Sequence, residues 1–304
     1  MTFQDMIAAR KAARESVRQA RKKQFTDPRQ GTGTREWSEH SCNVGLGCSN
    51  GCIYCYARHR NEIRFKTIVA GTWSQERPNM KRAEKRERSV GGVTMFPTQH
   101  DITEAYLPAV KRKIERHLQA GNRLLIVTKP RMAVFCDLLN FLAQQHGIHA
   151  GVSIKEKILF RISITSLDRT AAAFWEPGAP TPDERLTCLR EAYRRGFQTS
   201  ISAEPVLPDN TNYSAAATAI FIAADPFITE TAWFGTLNEA ADRIRGATPE
   251  LLERVAAFQA PTEVLKFVAK FSPPQLYPKV HFKDSIKKII KEDIDGRDQR
   301  RFEV

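Results

Sequence analysis

The sequence predicts a mixed α/β fold in which about six βα units form an incomplete, TIM-like parallel barrel. Short apolar runs alternate with amphipathic helical segments, and strands connected in this way pair in parallel. The units occupy residues 38–245, whereas an eight-fold barrel typically needs about 250 residues. We therefore expect three parts: a basic N-terminal arm (residues 1–35), the barrel core (residues 36–245) and a helical C-terminal appendix (residues 246–304).

Within the core, short apolar runs predict the strands, and a period of 3.6 residues predicts the helices. The first strand is expected just before a cysteine-rich loop at residues 48–55. The other predicted strands are residues 91–96, 123–128, 158–165, 198–203 and 232–235. The predicted helices are residues 103–119, 132–145, 182–195 and 213–224. Thr181 is the expected N-cap of the third of these helices, and Gly196 is its expected C-terminal stop.

The two flanks have different characters. Residues 1–25 are expected to form a basic helix with few large apolar side chains, which would dock loosely on the core. Beyond the core, the pattern predicts helix across residues 249–271, a short strand at residues 277–282 and a charged tail.

The composition is that of an ordinary globular protein, with 304 residues, 41% of them hydrophobic and 27% charged. No apolar run approaches the roughly 18 residues of a transmembrane helix, and the N-terminus lacks the apolar stretch of a signal peptide. Six cysteines, four of them within residues 42–55, do not suggest the disulfide framework of a secreted protein. We therefore expect a cytoplasmic protein without a membrane partner.

The net charge of +13 is the second notable property. Residues 56–90 hold ten Lys or Arg against four Asp or Glu, and they directly follow the cysteine-rich loop. A positive field of this kind attracts polyanions, of which nucleic acid is the usual one. We therefore expect a nucleic-acid partner, and the alternative is a basic surface that merely aids solubility.

The cysteine-rich loop holds Cys48, Cys52 and Cys55 in a C-x3-C-x2-C pattern with glycines on both sides. Thiolates this close can converge on one inorganic centre. Structural zinc usually takes four ligands, which Cys42 could complete, so a zinc site is one alternative. A 4Fe–4S cluster held by three cysteines would instead leave one iron without a protein ligand.

Polar residues follow each predicted strand, whereas the strand interiors are apolar. Reactive groups in parallel barrels lie at the C-terminal ends of strands. These positions are Thr94 with residues 97–101, Thr128 with Lys129, Ser163 with Thr165, Glu204, and Asn238. Glu204 could contact a ligand or form an ion pair with a barrel lysine or arginine. His100 and Asp101 could be acid–base groups, or a turn histidine beside a capping aspartate.

The order of these motifs resembles the spore photoproduct lyase-like branch of the radical S-adenosylmethionine (SAM) superfamily, also called DNA repair photolyase-like. The resemblance covers residues 36–240. Its motifs are the G-C-x3-C-x-Y-C-Y-A-R loop at residues 47–58, the Thr128-Lys129 pair, the S-I-T-x-L-D strand end at residues 163–168, and the segment from Glu176-Pro177 to Arg185-Leu186.

The resemblance implies a radical SAM barrel in which Cys48, Cys52 and Cys55 hold a 4Fe–4S cluster whose open iron binds SAM. It implies a nearby electron donor such as flavodoxin or ferredoxin, and a 5′-deoxyadenosyl radical that abstracts hydrogen from a substrate. The implied SAM contacts are Tyr54 beside the adenine, Lys129 at the carboxylate, Ser163 or Thr165 at the ribose, Thr94 and its neighbours near the methionyl amine, and Glu204 at SAM or substrate.

The chain departs from this family in two places. The second-strand motif often reads T-D-P-Y-Q in the family, whereas residues 96–101 read F-P-T-Q-H-D. The spore lyase also relies on a cysteine hydrogen donor, but Cys136 and Cys188 fall inside predicted helices as small core residues. Thymine-dimer lyase activity is therefore not expected.

Three functional hypotheses follow. The first is radical SAM chemistry on nucleic acid, and the second is the same chemistry on a protein or peptide. The third is a non-enzymatic zinc or iron–sulfur protein that binds nucleic acid. Trp73, Trp175 and Trp233 could stack on bases or belong to the core.

Overall fold

The computed structural model describes residues 33–145 and 153–299. Apart from residues 33–35, the predicted basic arm lies outside the described residues. The short 3-10 helix Gly33–Glu36 opens the described chain.

Seven parallel strands form a curled half-barrel, which confirms the predicted fold class. Their order across the sheet follows their order along the chain. These strands are β1 (His40–Ser41), β4 (Val93–Phe96), β5 (Arg123–Thr128), β6 (Ile158–Ser163), β7 (Gln198–Ala203), β8 (Ala232–Phe234) and β9 (Val280–Phe282). Two further strands, β2 (Gly45–Leu46) and β3 (Arg77–Pro78), form a small antiparallel pair around the cysteine-rich loop.

The predicted strand at residues 277–282 has a role that the sequence did not indicate. It forms β9, which pairs in parallel with β8 in the register Ala232↔Val280, Phe234↔Phe282. The segment after residue 246 therefore contributes a seventh strand to the half-barrel.

Helices cover the convex face of the sheet and the loops between strands. They are α1 (Tyr56–Arg58, continued by the π-helical turn His59–Arg64), α2 (Met80–Glu84), α3 (Leu107–Gln119), α4 (Met132–Ala143), α5 (Ile154–Lys157), α6 (Arg169–Trp175), α7 (Pro182–Arg194), α8 (Tyr213–Ala224), α9 (Ala240–Arg243), α10 (Pro249–Phe258), α11 (Pro261–Lys270) and α12 (Asp284–Gln299). Within the described ranges, none of them is both long and apolar enough to span a bilayer.

The predicted helix boundaries are mostly correct. The Thr181 hydroxyl accepts the Glu184 N–H at 3.3 Å at the start of α7, and Gly196 ends the turn after α7 with φ of +78°. Residues 249–271 are mainly helical, as expected, but they do not form one continuous helix. The chain breaks there into α10 and α11, because Pro261 has no N–H to continue the first helix and starts the second.

Alternation along each strand separates a packed face from an open one. On β4, β5 and β6 the apolar side chains of Phe96, Ile126 and Phe160 pack in the main core beneath the helices. The alternate residues, including Met95 and Val127, face the concave side and line a cavity at the C-terminal ends of the strands. Strand parity thus decides which residues can reach a ligand.

Candidate active site

One cavity of about 870 Å³ gathers most of the residues that the sequence singled out. Its walls include the three loop cysteines (Cys48, Cys52, Cys55) and, from the strand ends and their loops, Tyr54, Lys129, Ser163 and Glu204. Ser202, Thr236 and Asn238 complete the side near Glu204. Residues up to about 190 positions apart in sequence therefore meet at one site, as expected for the C-terminal end of a parallel barrel.

The cysteine-rich loop is held tightly against its neighbours. Cys48 donates its backbone N–H to the Trp73 carbonyl at 2.7 Å. Gly47 has φ of +91°, and a Cβ at this position would overlap the Gln75 carbonyl oxygen. Glycine is therefore required at this position for both its conformation and its size.

The three loop sulfurs are not gathered as closely as a single zinc ion would hold them. Zinc with Zn–S bonds of about 2.3 Å would hold its sulfurs roughly 3.8 Å apart. The three loop sulfurs do not all lie within 4.8 Å of one another. Burial raises the pKa of Cys48 to about 12 and that of Cys52 well above its usual value, so a metal centre must displace their protons on binding.

Cys42, the candidate fourth zinc ligand, lies at a different place. Its sulfur is within 4.8 Å of ligand atoms of Glu87 and His117, and Cys42 does not line the cavity. Asn122 donates its amide N–H to Nδ1 of His117 at 3.2 Å, which leaves the proton on Nε2, and Lys113 bonds Glu87. A protonated ring nitrogen and a neighbouring ammonium make this group an unsuitable cation site.

A buried carboxylate, Glu176, organises the cysteine side of the cavity. The hydroxyls of Tyr54 and Thr165 both donate to its Oε1, the latter at 3.0 Å. Arg185 contacts Oε2 at 2.5 Å, and Nζ of Lys129 lies 3.6 Å from Oε1. Burial alone would raise the pKa of Glu176, but the two cations and the Tyr54 hydroxyl hold it below its ordinary value.

Lys129 has its ammonium group held between this carboxylate and an aromatic ring. Its Nζ lies 5.9 Å from the centroid of the Tyr54 ring and borders the cavity. Burial acts to lower the pKa of Lys129. The opposing effect of Cys52 and Glu176 is larger, so the pKa lies above its ordinary value and the side chain remains a cation. Such a group can bind a ligand carboxylate.

Asp101 positions the neighbouring loop, and both of its carboxylate oxygens accept hydrogen bonds there. Its carboxylate accepts the Asn50 amide and the Thr128 hydroxyl, each at 2.5 Å, and the Lys129 backbone N–H at 3.0 Å. Next to it, His100 accepts the Val44 N–H at 3.2 Å, and burial lowers its pKa. These contacts favour the structural interpretation of both residues over the acid–base one.

Glu204 lies at the end of β7, where the cavity wall is made of hydroxyl groups. Ser163 and Ser202 share a hydrogen bond of 3.3 Å there. Lys283 lies 3.6 Å from Glu204 but only 2.8 Å from Glu36. Burial raises the pKa of Glu204 to about 7, and the shared lysine only partly opposes this shift.

Two residues that were predicted to contact SAM do not line the cavity. Thr94 has the same strand parity as Phe96, so its side chain lies on the packed face, buried and without a hydrogen-bond partner in the described structure. Thr165 acts through Glu176 and does not line the cavity. Of the tryptophans, Trp73 and Trp175 are buried, and Trp233 packs against Arg161.

Sequence comparison finds distant relatives. No protein-family model matches the chain. An uncharacterized protein of Acidianus two-tailed virus is 28% identical over 179 residues, which cover 55% of this chain and 56% of that protein. An uncharacterized protein of Methanocaldococcus jannaschii is 23% identical over 177 residues, covering 57% of this chain and 62% of that protein. The matched chain thus spans somewhat over half the length of these relatives.

Structure comparison finds the fold in a characterised enzyme. Spore photoproduct lyase complexed with dinucleoside spore photoproduct has a TM-score of 0.51 at 16% identity, covering 84% of this chain and 79% of the lyase. A double mutant of that enzyme with bound AdoMet and the same dinucleoside has a TM-score of 0.50 at 16% identity, covering 81% of this chain and 76% of the lyase. The chain thus shares the partial-barrel fold of spore photoproduct lyase.

Proposed function

We propose that this chain is a radical SAM enzyme that acts on nucleic acid. The observation that carries the proposal is the convergence of three cysteines, Tyr54 and Lys129 on one cavity at the C-terminal end of this fold. A solved structure of the same fold holds AdoMet and a dinucleoside.

Cys48, Cys52 and Cys55 would hold a 4Fe–4S cluster with one iron open to SAM. If bound and reduced by a donor such as flavodoxin or ferredoxin, a cluster of this kind would supply one electron for the cleavage of SAM to methionine and a 5′-deoxyadenosyl radical. The protein's task is to fix SAM in one orientation and to keep solvent away from the radical. A reducing, cytoplasmic location would protect such a cluster.

The cavity residues divide the contacts to SAM. Lys129 would bind the carboxylate, Tyr54 would lie beside the adenine, and the Ser163 hydroxyl would bond the ribose. Thr165 would act indirectly by fixing Glu176, which in turn orients the other two groups. Because Thr94 lies on the packed face, the methionyl amine would be bound by its cavity-facing neighbours in residues 97–101.

The basic surface supports the choice of nucleic acid as substrate. The exposed cations of residues 56–90 begin at Arg60, three residues beyond the cavity-lining Ala57. Cys136 and Cys188 do not line the cavity, and Cys188 is buried with its sulfur 3.6 Å from that of Met132. The described cavity thus offers no cysteine hydrogen donor besides the three loop residues, so we do not propose a thymine-dimer lyase.

Anaerobic reconstitution with iron and sulfide, followed by reduction in the presence of SAM, tests the proposal. We expect 5′-deoxyadenosine to form, detected by mass spectrometry, together with about four irons per chain. Cys48→Ala should abolish both, whereas Cys188→Ala, a matched control at a buried cysteine outside the cavity, should retain both. Stoichiometric zinc without 5′-deoxyadenosine would refute the enzymatic proposal and favour a non-enzymatic binding protein.

A nucleic-acid substrate and a peptide substrate differ in their salt dependence. Binding through phosphates weakens steeply as the salt concentration rises, because bound counterions are released. We expect this behaviour for oligonucleotides. Affinity for oligonucleotides that does not change between 50 and 200 mM salt would instead favour a peptide substrate.

A further inference from the structure

The segment that follows the cysteine-rich loop exposes an unusual amount of apolar surface. Phe65 is 54% exposed, and Ile63 and Val69 are 50% and 73% exposed. Single exposed apolar residues are common, but three within seven positions form a small patch. This patch lies beside the mouth of the cavity and is not explained by SAM chemistry.

Two arginines flank the aromatic ring of this patch. The guanidinium carbons of Arg60 and Arg64 each lie 5.4 Å from the centroid of the Phe65 ring. Neither arginine forms an ion pair with a carboxylate in the described part of the chain, and Lys66 adds a further exposed cation. The patch therefore combines a half-exposed aromatic ring with two guanidinium groups that lie over it.

The inner side of the same segment is anchored to the cavity wall. Asn61 is buried and donates to Ala57 O at 2.8 Å and to Gln99 Oε1 at 3.2 Å. Arg58 donates to the backbone carbonyl of Arg243 at 2.8 Å. Since Ala57, Gln99 and Arg243 line the cavity, the position of Phe65 is fixed relative to it. Eight residues of helical chain separate Ala57 from Phe65, a rise on the order of 10 Å.

A single-stranded nucleic acid has the chemistry that fits this patch. Proteins that bind single strands combine backbone-neutralising cations with exposed aromatic rings on which bases stack. A duplex satisfies the charges but keeps its base faces stacked on one another, so it cannot use the ring. We propose that Phe65, flanked by Arg60 and Arg64, is a stacking site for an unpaired base of a nucleic-acid strand whose neighbouring nucleotide enters the cavity. This inference rests on the proposed nucleic-acid substrate and specifies its form.

Fluorescence anisotropy with the reconstituted full-length chain tests the proposal. The probes are fluorescein-labelled oligothymidylate and oligouridylate of 20 nucleotides, and the duplex of the first with oligodeoxyadenylate. Loss of one stacked base is worth about 1–3 kcal/mol, or roughly 5- to 150-fold in Kd. Phe65→Leu should weaken binding of at least one single strand by this factor and should change duplex binding less than twofold. The two single strands distinguish DNA from RNA.

Matched variants separate stacking from folding and from charge. Phe65→Tyr keeps the ring and should bind like the native chain, and Ile63→Ala should change single-strand affinity less than twofold. Arg60→Ala should reduce the slope of log affinity against log salt by about 1, because one phosphate contact is lost. Equal losses of single-strand and duplex affinity in Phe65→Leu, or no loss, would overturn the stacking site.

The 5′-deoxyadenosine assay keeps the two proposals apart. Phe65 does not line the cavity, so Phe65→Leu should form 5′-deoxyadenosine from SAM at the native rate when no nucleic acid is added. Phe65-dependent single-strand binding without any 5′-deoxyadenosine would support the stacking site and refute the enzyme. Normal 5′-deoxyadenosine formation without affinity for any probe would support the enzyme and refute the stacking site.

Discussion

Glu176 and Glu204 are buried carboxylates at two sides of one cavity, yet their pKa values shift in opposite directions. Burial acts to raise both. Glu176 meets two cations and two hydroxyl donors, and its pKa lies below the ordinary value. Glu204 meets one lysine, at 3.6 Å, which is closer to Glu36, and its pKa rises to about 7.

The difference shows that partners, and not burial alone, decide the charge of an interior carboxylate. Glu176 is a permanent anion that holds Lys129 and Tyr54 in place. Glu204 can gain or lose a proton near neutral pH, and it lines the cavity. One side of the cavity is therefore built for fixed geometry, and the other can adapt its charge to what binds.

The largest test of this contrast removes each charge in turn. Glu176→Gln leaves Arg185 and Lys129 without their buried counter-ion, and breaking such a pair costs about 3–5 kcal/mol. Glu204→Gln should cost less than about 1 kcal/mol, because the native group already gains little from its charge. Urea denaturation of the reconstituted protein measures both free energies of unfolding. Similar costs for the two variants would remove the distinction between the two sides.

The second test compares the two lysines that contact these carboxylates. Lys129→Met should weaken SAM binding by about 10- to 100-fold, since charge-assisted hydrogen bonds contribute roughly 1.5–3 kcal/mol. Lys283→Met, a matched change of a buried lysine on the Glu204 side, should alter SAM affinity less than threefold. Equilibrium dialysis with labelled SAM under anaerobic conditions gives both values. A larger effect at Lys283 would place the SAM carboxylate on the Glu204 side.

The third test follows stability against pH. Glu204 has an ordinary pKa of 4.5 and a folded pKa of about 7, so the folded chain keeps a proton that the unfolded chain has lost between these values. Its contribution to stability is thus complete below about pH 4.5 and is lost as the pH rises through 7. The pKa of Glu176 is lowered, so its contribution to stability has the opposite pH dependence. That contribution is present above about pH 4.5 and is lost as the pH falls below it.

Two buried histidines and one half-buried histidine complicate the raw pH curve. Burial lowers the pKa values of His100, His117 and His281. These histidines therefore destabilise the folded chain as the pH falls below 6.5. The difference between the native chain and Glu204→Gln isolates the carboxylate. We expect this difference to change by on the order of 1–3 kcal/mol between pH 5 and pH 7.5 in urea denaturation. A flat difference would mean that Glu204 is ionised throughout.

The fold and the cysteine positions were predictable because their signals are local. Apolar runs mark the strands, and the spacing of the loop cysteines lies within eight residues. Strand alternation could also have placed Thr94 on the packed face, because Thr94 shares its parity with the apolar Phe96. The sequence showed the strand at residues 277–282 but not its neighbour, since pairing with β8 depends on the whole sheet.

Glu176 shows why the remainder was not predictable. Its contact with Tyr54 spans 122 residues, and nothing in the intervening sequence indicates that the two meet. Glu176 and Arg185 belong to one of the motifs that carry the family resemblance, but that motif does not show that they form an ion pair beside Lys129. Phe65 was likewise missed, because sequence alone does not distinguish an exposed aromatic ring from a core one.

The test with the smallest expected effect changes the packing around Glu204 without changing its charge. A Cβ at Gly235 would lie 3.0 Å from Cγ of Glu204 and 3.2 Å from Cγ of Lys283, closer than most packed contacts. Gly235→Ala should therefore cost about 1 kcal/mol through crowding. Gly91→Ala, where no atom lies within 4 Å of the added methyl, should be neutral within about 0.5 kcal/mol.

Because Gln matches Glu in size, the cost of Gly235→Ala should persist in the Glu204→Gln background. Loss of the cost in that background would show that the alanine acts through the carboxylate's charge and not through its volume.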